Sequence, residues 1–291
     1  MPSTQPPPYE FVHSQSFALL SKFILSICAC IFFGSPALAA PVTVHYKEGL
    51  MHGFLVMSTL DGDPVADGDL LQVPHGNQIT SRLIFHFKDG SLWDETVVFS
   101  QRTAFRLLTY HLVQKGHSFQ HDTEVTIKAS TGEVAIKYTD DDGKEKVIND
   151  RMKLPPDLAN GMVLVLLRNL PPTATPAEVS MLAITPKPRL IKLAISSQGE
   201  DSFSLGALPH KANHYVVKVQ IGGVAGMIAP LFGKQPPDTN IWVMGGEAPT
   251  FVKSEGLLSF GAPIWRIELI APGWPKKDAP EEAKEKSEEK H

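Results

Sequence analysis

The sequence predicts a mainly β protein: a curved antiparallel sheet or half-barrel around one apolar helix, with additional β-strands in the second half. Three observations carry that expectation. Apolar and polar residues alternate with period two along much of the chain, which puts one face of an extended strand on a core and the other in water. Turn pairs such as Asp89-Gly90 and Thr131-Gly132 punctuate those stretches at short intervals. One longer apolar run, opened by Leu154-Pro155-Pro156-Asp157 and stopped by Pro171-Pro172, breaks the rhythm.

Size and composition agree. A chain of 291 residues has room for one large or two modest domains with a real core. Lys+Arg 27 against Asp+Glu 31 gives a formal net charge of −4, which argues against a nucleic-acid binder that relies on net positive charge. Gly 22 and Pro 24 beside a hydrophobic fraction of 43% suit a turn-rich globular fold.

Residues 1–39 read as a signal peptide. Lys22 precedes the apolar run from Phe23 to Phe33, and Ala37-Leu38-Ala39 supplies a small-residue cleavage site, so the mature chain is expected to begin at Ala40 and to be periplasmic or secreted. An uncleaved membrane anchor is the other reading, but the run is short for the roughly 20 apolar residues a span needs. Both cysteines, Cys28 and Cys30, fall in this segment. The expected mature chain therefore has no thiol for a disulfide, a nucleophile or a zinc site.

Residues 40–170 read as an antiparallel meander plus a buried helix. Ile79, Ser81, Leu83, Phe85 and Phe87 share one strand face, and the turn at Asp89-Gly90 sends the chain back through a strand over 92–100. Further strands are expected over 105–115, 123–129, 134–139 and 146–152. The run over 155–170 suits a helix whose first turn accepts proline and an acid. At about 16 residues and 1.5 Å each it is roughly 24 Å long, too short to cross a bilayer. Apolar nearly all round, it is best buried in the concavity of a curved sheet. A buried β-strand is the alternative that so short a run admits.

After a proline-rich boundary at 171–176, residues 171–275 read as a β-rich second half able to complete the same domain, with strands over 178–184, 190–196, 215–221, 241–244, 251–260 and 264–270. Residues 276–291, rich in Lys and Glu, read as a charged disordered tail.

The search for chemistry is mostly negative. Neither phosphate-loop spacing is met around Gly222-Gly223 or before Gly233-Lys234, and no nucleophile elbow, S-x-x-K or H-E-x-x-H motif occurs. His117 and His121 have helical ligand spacing but flank Gly116 at a strand start; His210 and His214 sit beside Pro209. Asp61, Asp63, Asp67 and Asp69 imitate a calcium loop, yet Ala66 stands where the glycine belongs and Gln72 where the closing glutamate belongs, so they read as a solvated turn. No cofactor and no metal site is expected. Asp94 and Glu95 are strand neighbours and must face opposite ways, so they make no acid/base pair, whereas Trp93 shares a face with Glu95, Val97 and Phe99.

The segments Asp89-Gly90-Ser91-Leu92-Trp93-Asp94-Glu95-Thr96-Val97-Val98-Phe99-Ser100, Leu154-Pro155-Pro156-Asp157-Leu158-Ala159-Asn160-Gly161 and Ala229-Pro230-Leu231-Phe232-Gly233-Lys234-Gln235-Pro236-Pro237-Asp238 resemble those of an uncharacterised family of exported bacterial proteins. The order of parts also resembles the half-barrel proteins of the bacterial envelope, such as the lipoprotein-localisation carriers. That likeness implies a concave apolar surface that holds acyl chains, and neither resemblance supplies a catalytic residue.

The expected role is non-catalytic binding of a hydrophobic small molecule or lipid in the cell envelope, with peripheral envelope association and no nucleic acid. Trp93, Phe99, Met162, Leu166, Met227 and Phe232 are the expected ligand-binding residues; for Trp93 ordinary cross-strand packing is the competing reading, and the glycine-rich segment that carries Met227 and Phe232 reads either as a packed turn completing the core or as a lid. A hydrolase with a dispersed active site and a structural or partner-binding module are the alternatives.

Overall fold

The protein is described here by a computed structural model over residues 41–185, 187–205, 208–220, 236–259 and 261–270. The expected signal peptide, the charged tail, Met227 and Phe232 lie outside the described residues.

Eight strands run in succession from the amino end: β1 (Met51–Ser58), β2 (Pro64–His75), β3 (Gln78–Phe87), β4 (Leu92–Gln101), β5 (Phe105–Lys115), β6 (Thr123–Lys128), β7 (Glu133–Thr139) and β8 (Glu145–Arg151). A short helix α1 (Val163–Asn169) and a 3-10 turn (Pro172–Ala174) follow. Then come β9 (Ala177–Ala183), β10 (Arg189–Leu205), β11 (Leu208–Gln220), β12 (Thr239–Met244), β13 (Thr250–Leu257) and β14 (Ile264–Ile270). All belong to one 14-stranded sheet in the order β8-β7-β6-β5-β4-β3-β2-β1-β14-β13-β12-β11-β10-β9. Two meanders, β1 to β8 and β9 to β14, are sewn together by the antiparallel pairing of β1 with β14, in which Phe54 faces Ile270 and Ser58 faces Arg266. The sheet is mainly β, antiparallel, curved and open, with β8 and β9 as its edges.

The alternation read from the sequence becomes the inner face of this sheet. Ile79, Phe85, Val97, Phe99, Leu112, Val125, Ile127 and Ile136 are buried. Phe87, Trp93, Phe119 and Trp265 gather at one place in the interior, with ring centroids 5.3 Å apart for Phe87–Trp265 and 5.4 Å for Phe87–Phe119. Close approach between β2 and β3 depends on Gly68, where a Cβ would stand 2.3 Å from the Phe85 ring. On the outer face the side chains pair with one another, as Arg82 does with Asp94 at 2.6 Å and 2.9 Å.

Three local expectations are corrected. Strands β1 and β2 occupy a stretch in which the sequence reading placed no strand, and the four aspartates do not form one solvated turn. Asp61 and Asp63 lie in the turn, but Asp67 and Asp69 stand on the outer face of β2, alternating with Ala66, Gly68 and Leu70. Strand β10 runs well beyond its expected end at Ser196, because its distal half pairs with β11 from Gly199↔His214 to Leu205↔Leu208, where polar side chains leave hydrophobic periodicity silent.

The helix is also much shorter than expected: α1 has 7 residues and starts at Val163. Its intended first turns are used elsewhere. The Ala159 N–H donates to the Ser180 carbonyl at 2.8 Å, and the Ser180 N–H donates to the Asp157 carbonyl, so this segment lies alongside β9 as a bridge. Asn160 completes the junction by donating to the Leu182 carbonyl and accepting from the Leu182 N–H. Gly161 then takes φ 67, which ends the extended segment and turns the chain into the helix.

What survives of the apolar run is a plug fixed at its carboxyl end. Val165, Leu166 and Leu167 are buried. Asn169 accepts from the backbone N–H of His45 and of Tyr46 at 2.9 Å and 2.7 Å, and the Tyr215 hydroxyl donates to the Leu170 carbonyl at 2.8 Å. The helix thereby ties the entry to the first meander to the middle of the second.

Candidate functional site

Between α1 and the concave face of the sheet lies a cavity of about 710 Å³. That is within the range of small-molecule sites, which run from roughly 300 to 1,000 Å³. Its wall draws on strands of both meanders: Leu112 and Ile136 from the first, Leu193, Val217 and Ile267 from the second, with Leu164 of α1 opposite. The inward period-two positions make most of this wall apolar.

A carboxyl group interrupts the apolar wall. Glu95 sits on β4 between the inward Trp93 and Val97, and its cross-strand partners are Leu83 on β3 and Leu112 on β5. The Tyr110 hydroxyl donates to Glu95 Oε1 at 2.9 Å, the one hydrogen bond that Glu95 makes among the described residues. The surface Glu95 retains opens to the cavity. Desolvation lifts its carboxyl to about 7, with the Tyr110 hydrogen bond pulling the other way, and burial beside this acid raises the Tyr110 hydroxyl well above its ordinary value. Gly161 covers the pair closely, since a Cβ there would stand 3.3 Å from Glu95 Cδ, 3.1 Å from the Tyr110 ring and 2.3 Å from Val97 Cγ2.

Several other polar groups on the wall are committed to neighbours. Arg168 of α1 is ion-paired to the buried Glu48, whose carboxyl burial raises in spite of that pairing. Glu48 is held in turn by Gln101, which donates to its carbonyl at 2.9 Å and accepts from its N–H at 2.6 Å. The Gln114 amide donates to the His121 carbonyl and to Thr123 Oγ1, and His121 lies 3.6 Å from Asp141. The buried Trp93 indole N–H has no acceptor among the described residues.

A second polar cluster has the residue types of a hydrolase but not its access. Lys192 Nζ donates to Ser180 Oγ at 2.7 Å and to Asp157 at 3.1 Å, while Ser180 Oγ donates to Asp157 at 2.8 Å. Ser180 is only 2% exposed beneath the bridge that Asp157–Asn160 makes to β9. A nucleophile must be reached by the atom it attacks, and here the serine fastens the loop to the edge strand. Among the described residues no group of three or more His, Cys, Asp or Glu side chains is placed to hold a metal ion, and no helix is long and apolar enough to cross a membrane.

Of the residues expected to bind a ligand, Trp93 lines the cavity, whereas Phe99, Met162 and Leu166 are buried in the packing around it and are not part of its wall. Met227 and Phe232 lie outside the described residues. On α1 the helical turn puts Val163, Leu164, Val165 and Arg168 on the wall. Sequence reasoning placed Glu95 on the Trp93 face but gave it no role, and it missed Tyr110 and Gly161. The available signal was one acid on the apolar side of an alternating strand, facing a neighbouring strand that carries a tyrosine.

No family model and no curated protein matches the chain. Among solved structures, a crystal structure described as a β-barrel-like protein of domain of unknown function DUF1849 from Brucella abortus is similar, with a TM-score of 0.43 and 9% identity, over 77% of this chain and 98% of that one.

Proposed function

We propose that the chain is an exported, non-catalytic binder that holds a hydrophobic small molecule or lipid in the cavity beside α1, in the periplasm or outside the cell. The observation that carries this reading is the size and composition of that cavity: about 710 Å³ walled mainly by apolar side chains of both meanders. Over most of that wall water finds few polar partners, which favours a guest with an apolar body. Burial of the apolar part of a guest supplies roughly 25 cal/mol per Å² before the costs of binding. An acyl chain meets the geometry better than a compact polar metabolite, which would leave its hydrogen-bonding groups facing leucine and valine. The export part of the proposal rests on the small-residue site Ala37-Leu38-Ala39 behind an apolar run.

The test is binding of an uncharged dye whose fluorescence rises in apolar surroundings, together with native mass spectrometry of protein purified from its own cells. Wild-type protein should enhance the dye or carry a lipid-sized mass. Leu164→Trp, which fills the cavity from the helix side, should weaken dye binding about tenfold while leaving the fold's circular dichroism intact. A wild-type protein that neither binds the dye nor carries a bound mass overturns the reading.

A further inference from the structure

Resting on that reading, we propose that Glu95 selects the guest: the cavity takes a single-chain amphiphile whose polar end donates hydrogen bonds, an ammonium in particular, in preference to one ending in a carboxylate. Three observations converge. The carboxyl of Glu95 is on the cavity wall, and among the described residues its second oxygen has no hydrogen-bond partner. Among the described residues no cation is paired with it: Arg168, the guanidinium on the same wall, is bound to Glu48, and His121 is beside Asp141. Around it stand Leu83 of β3, Val97 of β4, Leu112 and the Tyr110 ring of β5, and Gly161, so among the described residues Tyr110 is the titratable group in contact with it.

An acid in that position has an unmet need for a donor. When ionised it is a charge facing an apolar space, and an ammonium brought there by an alkyl chain gives it a partner without exposing either to water. A hydroxyl satisfies the free oxygen more weakly. A carboxylate puts a like charge against Glu95 and forces one of the two acids to keep its proton. The elevated titration of Glu95, about 7, fits this account, and an ammonium guest should bind more tightly as pH rises through that range.

Displacement of the same uncharged dye by dodecylammonium, dodecanol and dodecanoate, each below its micelle concentration, tests the assignment on the full chain. At pH 8 dodecylammonium should compete about tenfold more effectively than dodecanoate, with dodecanol between them. Glu95→Gln keeps the shape and an acceptor for Tyr110 but removes the charge, and it should bring dodecylammonium down to the level of dodecanol. If all three compete alike, or if the ammonium preference persists in Glu95→Gln, the assignment to Glu95 falls while the carrier reading stands. If none displaces the dye and the wild-type protein carries no bound mass, the carrier reading falls and this inference falls with it.

Discussion

The Glu95 carboxyl makes stability depend on pH in a direction opposite to that of the acid next to it on the strand. Asp94, its sequence neighbour on the outer face, is held below the usual carboxylate range by its hydrogen bonds from Arg82 and so favours the folded state once ionised. Glu95 behaves in reverse. Its folded-state value of about 7 lies above the ordinary 4.5, so between those two pH values the folded chain holds a proton that the unfolded chain has released. Its contribution is fully present below about 4.5 and is lost as pH rises to about 7, a change on the order of 3 kcal/mol. Glu95→Gln cannot lose it. The difference in unfolding free energy between Glu95→Gln and wild type, measured with denaturant at several pH values, should therefore move in favour of the variant across that window and level off above it. A difference that stays flat with pH would show that Glu95 ionises in the folded protein as it does in water.

At the scale of elements, the central problem is how a short helix is kept inside a sheet. Leu166 faces the core and is buried, so Leu166→Asp strands a charge among apolar side chains and removes packed methyl groups. The cost should exceed about 4 kcal/mol, enough to abolish cooperative thermal unfolding in a marginally stable domain. An unchanged melting temperature would mean that the helix does not pack as described. The inward residues of β3 to β7 were legible in the sequence because alternation survives wherever one strand face is buried and the other is wet. Strands β1 and β2 were hidden because Asp67, Gly68 and Asp69 look like turn residues, although the aspartates stand outside and the glycine makes room for Phe85. The helix start was hidden for another reason. Asp157 to Asn160 have no local preference that reveals their pairing to β9, a contact made some twenty residues along the chain. The cavity itself was legible only as a concavity, since its wall is assembled from strands distant in sequence. The two sheet edges are also treated differently: β9 is covered by that bridge, while β8 carries Glu145, Lys146, Asp150 and Arg151, charges that discourage pairing with another strand.

Over the whole molecule, neighbouring strands are neighbours in the chain except at one seam, where β1 meets β14. Most hairpins on either side of that seam need only a short loop to form, the longer connection over 221–238 between β11 and β12 being the exception. The seam needs nearly the entire described chain, with Leu55 opposite Leu269 and Met57 opposite Ile267. This places the most non-local step of assembly at the middle of the finished sheet and not at its rim. Folding should then be limited by a late closure, because the loop entropy of that contact must be met before the pairing rewards it. Pulse-labelled hydrogen exchange during refolding should find the β3–β4 amides protected before those of Phe54–Ser58 that face β14; simultaneous protection would exclude the sequence of events. For a chain that emerges amino end first, the consequence is one of timing. Until the residues of β14 appear, β1 has a free edge and the apolar wall of the first meander has no opposite side, so the nascent protein is exposed to aggregation for as long as its last strand is delayed.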